Sequence, residues 1–156
     1  MRRPFSVNVF LYKIVAGKIE YLMLKRTPRT DLKIPGFWQC VSGALEQDEN
    51  FAMAAQREVF EETGLLIETV IATGFKLVYP IKEEWRTHYG PDPIDVVEHV
   101  FFSKVEADPV LSEEHSHFEW LAYPQAYQRL TFGDYQRAIA SVNNMLKAER
   151  YEGLKV

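Results

Sequence analysis

Three glutamates between residues 58 and 62 have the residue type and the spacing of a metal site. Glu58, Glu61 and Glu62 occupy positions i, i+3 and i+4, which form one stripe on an α-helix because each residue advances the helix by about 100°. Neighbouring carboxylates repel one another unless a cation lies among them. Carboxylate oxygens on a rigid helix suit a hard cation such as Mg²⁺ or Mn²⁺, whose remaining positions are filled by water and substrate phosphates. The alternative is a solvated helix face that forms surface ion pairs only.

Two further residues are placed to support such a site. Arg57 and Glu61 are four residues apart, so the guanidinium can orient that carboxylate, as the partners of metal ligands commonly do. Gly43 precedes an acidic loop, where the missing side chain permits either a close approach of the backbone or a positive φ angle. The segment therefore predicts a metal site whose ligands are oriented by an arginine.

The spacing of residues 43–65 resembles the Nudix box, the signature of the Nudix hydrolase family. The box reads glycine, five residues, glutamate, seven residues, arginine–glutamate, an apolar residue, any residue, two glutamates, any residue, glycine and an apolar residue. The matching residues of this chain are Gly43, Glu49, Arg57, Glu58, Val59, Glu61, Glu62, Gly64 and Leu65. Ser42 and Asp48 stand where the family more often has glycine, and neither departure removes a position of the box.

The resemblance implies a fold, an activity and a set of residue roles. The fold is an α/β/α sandwich with a mixed β-sheet, and the activity is hydrolysis of nucleoside diphosphates linked to another group. Glu58 and Glu62 are implied as metal ligands, with Glu61 close by and Arg57 orienting the acids at the catalytic centre. The implied structural residues of the box are Gly43, Glu49 and Gly64.

Short motifs outside the box resemble bacterial dihydroneopterin triphosphate pyrophosphatases, which are also described as dATP pyrophosphohydrolases. These motifs are FWQCVSG, THYGP and SEEHSHFEWL, which begin at residues 37, 87 and 112. The last motif implies that Glu114 is a third metal ligand or the general base, with Glu113 as the choice if the alignment shifts by one residue. An acidic turn before a strand is the structural alternative. His115 and His117 could share one face of that strand, but packing or solvent exposure is the favoured interpretation.

The reaction implied is attack of water on a phosphorus of a triphosphate, with dihydroneopterin triphosphate or a dNTP giving a monophosphate and pyrophosphate. Either Glu114 or a helix glutamate would accept the proton. Arg26 is the candidate phosphate contact, although it could equally be a solvated cation at a strand end. The loop 27–36 is longer than this group leads us to expect and could line the entrance. The candidate stacking surfaces for a planar ring, each of which could instead be core, are Trp38, Phe75 and Tyr79.

The helices and strands that must position these residues are predicted from the hydropathy pattern and from helix-capping residues. Asn50 is a good N-cap and Gly64 a good C′ residue for a helix over residues 50–63. Alternation and β-rich composition predict strands over residues 5–15, 19–26, 66–80, 95–106 and 117–123. A helical tail is predicted over 124–150 with a break at 131–133. This order predicts an α/β layered sandwich.

Composition bounds the class of protein. The 156 residues predict a single domain, 1–156. A formal charge of −4 argues against a nucleic-acid polymer as partner, because such binding needs a basic surface. Cys40, the single cysteine, excludes an intrachain disulfide, and no apolar run of about 18 residues predicts a membrane span. We therefore expect a cytoplasmic protein, monomer or homodimer, whose partner is a small phosphorylated substrate.

Two other functions compete with this prediction. One is a dinucleoside polyphosphate or sugar-nucleotide hydrolase of the same family, although none of the markers we would require for it is evident. The other is a non-catalytic binding module built on the same fold. Such modules typically lose acids of the box, whereas every box acid is present here.

Overall fold

The structure is a computed structural model that describes residues 2–154, with the backbone alone for residues 32 and 150–154. Within these residues the regular elements are, in chain order, β1 (Phe5–Val15), β2 (Lys18–Arg26), β3 (Trp38–Gln39), β4 (Val41–Ala44), α1 (Phe51–Thr63), β5 (Ile71–Pro80), α2 (Arg86–Tyr89), β6 (Asp95–Lys104), β7 (His115–Leu121), α3 (Tyr123–Arg129) and α4 (Gly133–Leu154). Short 3-10 turns lie at Thr30–Leu32 and Glu83–Trp85.

Strand β1 organises a mixed sheet. It pairs in parallel with β6, and its two halves pair antiparallel with β4 and β2. The main path of the sheet is β3-β2-β1-β6-β5, and β7 adds to β2. The parallel pair requires a crossover connection, which here contains α1. The predicted mixed sheet is confirmed.

The two faces of β1 build two cores, because successive side chains of a strand point to opposite sides. Val7, Val9 and Leu11 belong to the core that includes Val59 of α1. Phe10 and Tyr12 alternate with them and belong to a second core, which α4 covers with Ala138, Ile139, Val142 and Leu146. The sheet is therefore enclosed between helices, and the predicted α/β sandwich is confirmed.

Helix α1 begins and ends where the sequence predicts. Asn50 Oδ1 accepts a hydrogen bond from the amide of Met53 at 2.8 Å, which satisfies a free donor of the first turn. Gly64 adopts φ 71° and its amide donates to the carbonyl of Phe60. Glycine adopts this left-handed conformation without the steric strain that a Cβ atom would cause. Both caps fix which helix residues face the sheet.

The strand predicted over 66–80 is too long at its start. The structure has β5 at Ile71–Pro80, and residues 66–70 form a loop. The Gln56 side-chain amide donates to the carbonyls of Ile67 and Glu68, and Ser103 Oγ donates to the carbonyl of Thr69. Side chains thus use backbone acceptors that a strand would offer to its neighbour. The other predicted strand limits agree with the structure to within two residues.

A β-bulge separates the two histidines of β7. His117 lies opposite Lys25 and His115 lies opposite Arg26, so two steps on β7 face one step on β2. A bulge changes the face to which the next side chain points. His115 is buried and His117 is exposed, so the two rings do not share a face.

None of the helices within residues 2–154 combines the length and the apolar character that a membrane crossing requires.

Candidate active site

Gly43 lets a glutamate of α1 approach the backbone of β4. A Cβ atom added at Gly43 would lie 2.1 Å from both Cδ and Oε1 of Glu58, a distance that nonbonded atoms do not tolerate. Gly43 has no positive φ, so of the two reasons that the sequence offers for this glycine, close approach is the one that applies. The Glu58 carboxylate therefore occupies the space of the missing side chain.

Arg57 connects the acidic loop to the acidic stripe of α1. Its guanidinium donates two hydrogen bonds to Glu49, at 2.7 and 2.9 Å, and one to the carbonyl of Ala44 at 2.9 Å. Nη1 also donates to Glu58 at 2.8 Å and to Glu61 at 3.1 Å. The hydrogen bonds from Arg57 lower the pKa of Glu49 below its ordinary value. One arginine thus orients three carboxylates.

Glu62 is a buried acid without a hydrogen-bond partner in the described part of the chain. Its side chain is 1% exposed, and neither carboxylate oxygen makes a hydrogen bond. Burial, and then the neighbouring Glu58, raise the pKa of Glu62 to about 11. Burying an unpaired carboxylate costs several kcal/mol in order of magnitude, so this acid requires either a proton or a cation.

His115 lies beside this carboxylate. Its Nδ1 atom is 3.8 Å from Glu62 Oε1, and both ring nitrogens are buried without a hydrogen-bond partner among the described residues. Burial lowers the pKa of His115 to about 4. The imidazole is therefore neutral near pH 7, and one of its two buried ring nitrogens carries a lone pair that could bind a cation.

Glu114 reaches the same place from the turn before β7. It forms an ion pair with Arg26, the last residue of β2, and its carbonyl accepts a hydrogen bond from the amide of Thr27 at 3.0 Å. Burial raises the pKa of Glu114 above its ordinary value, and Arg26 opposes that shift. Glu113, the neighbouring acid, is exposed and does not line the cleft described below.

The donor atoms of this region fit a divalent cation. Single donor atoms from Glu62, Glu114 and His115 lie within 4.8 Å of one another. The partnerless carboxylate oxygens and ring nitrogens are the kind of buried groups that metal coordination satisfies. Oxygen donors suit Mg²⁺, and the imidazole would also suit Mn²⁺. We therefore regard the residues present as a fit for a metal ion.

A cleft of about 670 Å³ opens beside this group and is lined by one of its members, Glu114; we call it the carboxylate cleft. Its charged lining residues are Arg2, Arg3, Arg26, Glu46, Arg57, Glu58, Glu61 and Glu114. The acids cluster at α1, and the arginines include two from the N-terminal segment. Alternating cations and carboxylates around an open cleft can bind a polyphosphate together with a metal ion.

The structure separates the predicted ring-stacking residues from this cleft. Trp38 and Phe75 pack against the core on the α4 side, and the guanidinium of Arg129 lies 4.9 Å from the Trp38 ring centre. Tyr79 donates a 2.6 Å hydrogen bond to Glu98 and lines a different cavity. None of the three lines the carboxylate cleft.

Several residues of the site were absent from the sequence-based assignment. Arg2, Arg3 and Glu46 line the cleft, and His115 contacts the buried acid. Strand pairing offered a signal for His115, because a residue beside Glu114 must lie close to Arg26 if β7 pairs with β2. No comparable signal exists for the N-terminal arginines, whose position depends on where the chain enters β1.

The raised pKa of Glu62 predicts how the metal-free protein responds to pH. With its pKa raised, Glu62 keeps in the folded protein a proton that the unfolded chain loses near pH 4.5. Buried His115 opposes this effect until the unfolded chain has also lost its histidine proton near pH 6.5, so the free energy of unfolding should fall as pH rises from about 7 toward 9. One proton gives a slope of at most about 1.4 kcal/mol per pH unit. Denaturant unfolding in EDTA at several pH values measures it. Glu62→Gln should flatten the dependence, and an unchanged slope in that variant would contradict the assignment.

The comparisons with known proteins agree on one family. Residues 4–140 match the NUDIX domain. A dihydroneopterin triphosphate diphosphatase from Haemophilus influenzae is 33% identical over 129 residues, which cover 79% of this chain and 77% of that protein. The solved structure of the Escherichia coli dihydroneopterin triphosphate pyrophosphohydrolase has a TM-score of 0.70 and 30% identity, over 88% of this chain and 93% of that chain.

A further relative is longer than this chain. An octanoyltransferase from Myxococcus xanthus is 33% identical over 136 residues, which cover 81% of this chain, but the chain spans only 33% of that protein's length. The domain match, by contrast, covers most of the chain and includes every residue that lines the carboxylate cleft except Arg2 and Arg3. On this evidence the chain belongs to the Nudix hydrolase family.

Proposed function

We propose that this Nudix hydrolase is a Mg²⁺-dependent pyrophosphohydrolase that cleaves a pterin or nucleoside triphosphate to the monophosphate and pyrophosphate. The observation that carries the proposal is the convergence of the α1 carboxylates Glu58 and Glu61, of Glu114 and of several arginines on one open cleft, with the buried acid Glu62 grouped behind Glu114. Two relatives named for dihydroneopterin triphosphate, at 33% and 30% identity, support the substrate class.

Glu58 and Glu62 would hold the ion, and Glu114 would serve either as its third ligand or as the general base. Glu58 is fixed against Gly43, and Glu62 supplies oxygens that have no hydrogen-bond partner among the residues that the structure describes. A bound divalent cation supplies charge neutralisation at the phosphate oxygens and a lowered pKa for the attacking water. Arg57 keeps Glu58 and Glu61 in fixed orientations through its hydrogen bonds, so little reorganisation is needed during the reaction.

Arg26 would bind the phosphates together with the N-terminal arginines of the cleft. Its guanidinium is paired with Glu114 before substrate arrives, and a guanidinium has enough donors to contact a carboxylate and a phosphate together. Arg3 is held by hydrogen bonds to the carbonyls of Glu46 and Glu49. These arginines would orient the polyphosphate in line with the attacking water, on which phosphoryl transfer mainly depends.

Glu114 is the geometrically favoured proton acceptor. Burial raises its pKa, which brings a carboxylate closer to the pH range where general bases work best. Glu61 lines the same cleft and is half exposed, so it is the second choice. Glu113 is exposed outside the cleft, and the geometry favours it less.

A hydrolysis screen with product identification tests the proposal. Dihydroneopterin triphosphate, the four dNTPs, a dinucleoside polyphosphate and ADP-ribose are each incubated with Mg²⁺. We expect a monophosphate and pyrophosphate from a pterin or nucleoside triphosphate, and loss of turnover in EDTA. Preference for the dinucleotide or ADP-ribose would reject the substrate class. Absence of turnover on every compound would reject the enzymatic proposal in favour of a binding module.

A further inference from the structure

A second cavity of about 420 Å³ lies beside the carboxylate cleft and has a different chemical character. We call it the aromatic cavity, and its lining residues are Arg2, Arg29, Tyr79, Trp85, His88 and Tyr89. Three aromatic side chains and three basic ones surround it, and no carboxylate is among these six residues. Its volume lies within the range of small-molecule sites, which is roughly 300–1,000 Å³.

Arg2 joins the two cavities, because it lines both. Its backbone amide donates to the carbonyl of His88 at 2.7 Å, and its guanidinium lies 5.7 Å from the ring centre of Tyr89. The N-terminal segment is thereby attached to helix α2. A ligand that carries a polyphosphate at one end and a ring at the other could contact Arg2 at the boundary of the two cavities.

The walls of the aromatic cavity are held in place without a ligand. Tyr79 donates its hydroxyl to Glu98, and its ring meets Trp85 edge-on with the centres 6.2 Å apart. The loop that carries Trp85 is closed at its base by a hydrogen bond from the Ile81 amide to the Ile94 carbonyl. Arg86 donates to the carbonyls of Gly90 and Pro93 within that loop. Preformed walls reduce the entropy lost when a ring binds.

We propose that the aromatic cavity binds the heteroaromatic ring of the substrate whose phosphates occupy the carboxylate cleft. This inference rests on the proposed function and assigns the part of the protein that determines which substrate ring is bound. Trp85 and Tyr89 provide flat faces for a pterin or nucleobase, and Arg29 and His88 provide N–H donors toward ring oxygens and nitrogens. Trp85 and Tyr89 act in ring recognition and not in the cleavage step.

Binding measurements on ring-bearing and ring-free probes test the assignment. The ring-bearing probes are α,β-methylene-dATP and neopterin monophosphate, and the ring-free probe is inorganic tripolyphosphate, each titrated calorimetrically in Mg²⁺. In Trp85→Ala we expect the affinity for at least one ring-bearing probe to fall about tenfold, which is the scale of one lost stacking contact. The affinity for tripolyphosphate should stay within twofold, since the cleft is intact.

Tyr89→Leu is a second variant that keeps the test valid if Trp85→Ala does not fold. Its matched control is Tyr127→Leu, an exposed tyrosine of α3 outside both cavities, which should leave every affinity unchanged. Unchanged affinities for both ring-bearing probes in the cavity variants would overturn the inference. An equal loss for tripolyphosphate would also overturn it, because the effect would then concern the phosphate cleft.

Failure of this inference is distinguishable from failure of the proposed function. Turnover of triphosphates with no effect of Trp85→Ala on ring binding leaves the function standing and rejects the aromatic cavity. Weaker ring binding in Trp85→Ala, without turnover of any compound in the screen, supports the cavity and rejects the reaction.

Discussion

Replacing Glu58 by glutamine should lower turnover by about a hundredfold or more while the fold remains intact. Removing a residue that only hydrogen-bonds to a metal ligand already lowers metal affinity or activity by about 10–100-fold. Glu58 is proposed as a ligand itself, so a larger loss is expected. Glutamine has nearly the same shape, so it fits against Gly43 where the carboxylate lies. The measurement is the initial rate of pyrophosphate release as a function of Mg²⁺ concentration.

The thermal stability of Glu58→Gln separates a lost ligand from a damaged fold. Removing the Glu58 charge relieves its effect on Glu62 but weakens the hydrogen bond from Arg57. These two effects oppose each other, so the free energy of unfolding of the metal-free protein should change by no more than about 1–2 kcal/mol. Mg²⁺ raises the Tm of a protein that binds it, and that rise should shrink in the variant. Glu106→Gln, at an exposed position, is the matched control and should behave like the wild type. Near-full activity of Glu58→Gln would contradict the metal assignment.

Adding one methyl group in Gly43→Ala should lower turnover almost as much as removing the Glu58 charge. The new Cβ would overlap the Glu58 carboxyl group, which lies 2.1 Å away, and the side chain must leave its position. The cost in free energy of unfolding should be no more than about 1–3 kcal/mol, because the displaced atoms are the end of a flexible side chain. Rate measurements and denaturant unfolding on the same preparation test both statements.

Gly133→Ala provides the matched control for this substitution. Gly133 has a negative φ, and the nearest atom to an added Cβ is the Arg137 guanidinium at 3.8 Å, an ordinary contact. It should therefore retain wild-type activity. A Gly43→Ala variant with wild-type turnover would show that the Glu58 carboxylate is not required where it lies in the structure.

The acidic stripe and its supports were accessible from the sequence because they depend on local geometry. Helical spacing places Glu58, Glu61 and Glu62 on one stripe whatever the rest of the chain does, and caps at Asn50 and Gly64 define the ends of the helix. The family resemblance then assigned roles within that one segment. The confirmed sandwich follows in the same way from the order of strands and helices.

The surroundings of the acids depended on contacts between distant segments. Glu62 is buried because the sheet covers it, and His115 reaches it because a bulge in β7 changes the direction of one side chain. No pattern in residues 112–121 predicts that bulge, because the register of β7 is set by its pairing with β2. The register excludes the alternative in which His115 and His117 share one face, and the favoured interpretation of packing or solvent exposure agrees with the buried His115 and the exposed His117.

The candidate ligands of this protein can be read from residue types within one helix, whereas the geometry of the site depends on contacts between distant segments. Glu58 and Glu62 lie on one face because neighbours four residues apart meet in any helix. Three features of the site arise between segments that are about 15 to 90 residues apart in the sequence. They are the close approach of Glu58 to Gly43, the ion pair of Arg26 with Glu114, and the placement of Trp38 and Tyr79 in different parts of the fold. Such contacts depend on how the whole sandwich packs, so a local sequence pattern does not predict them.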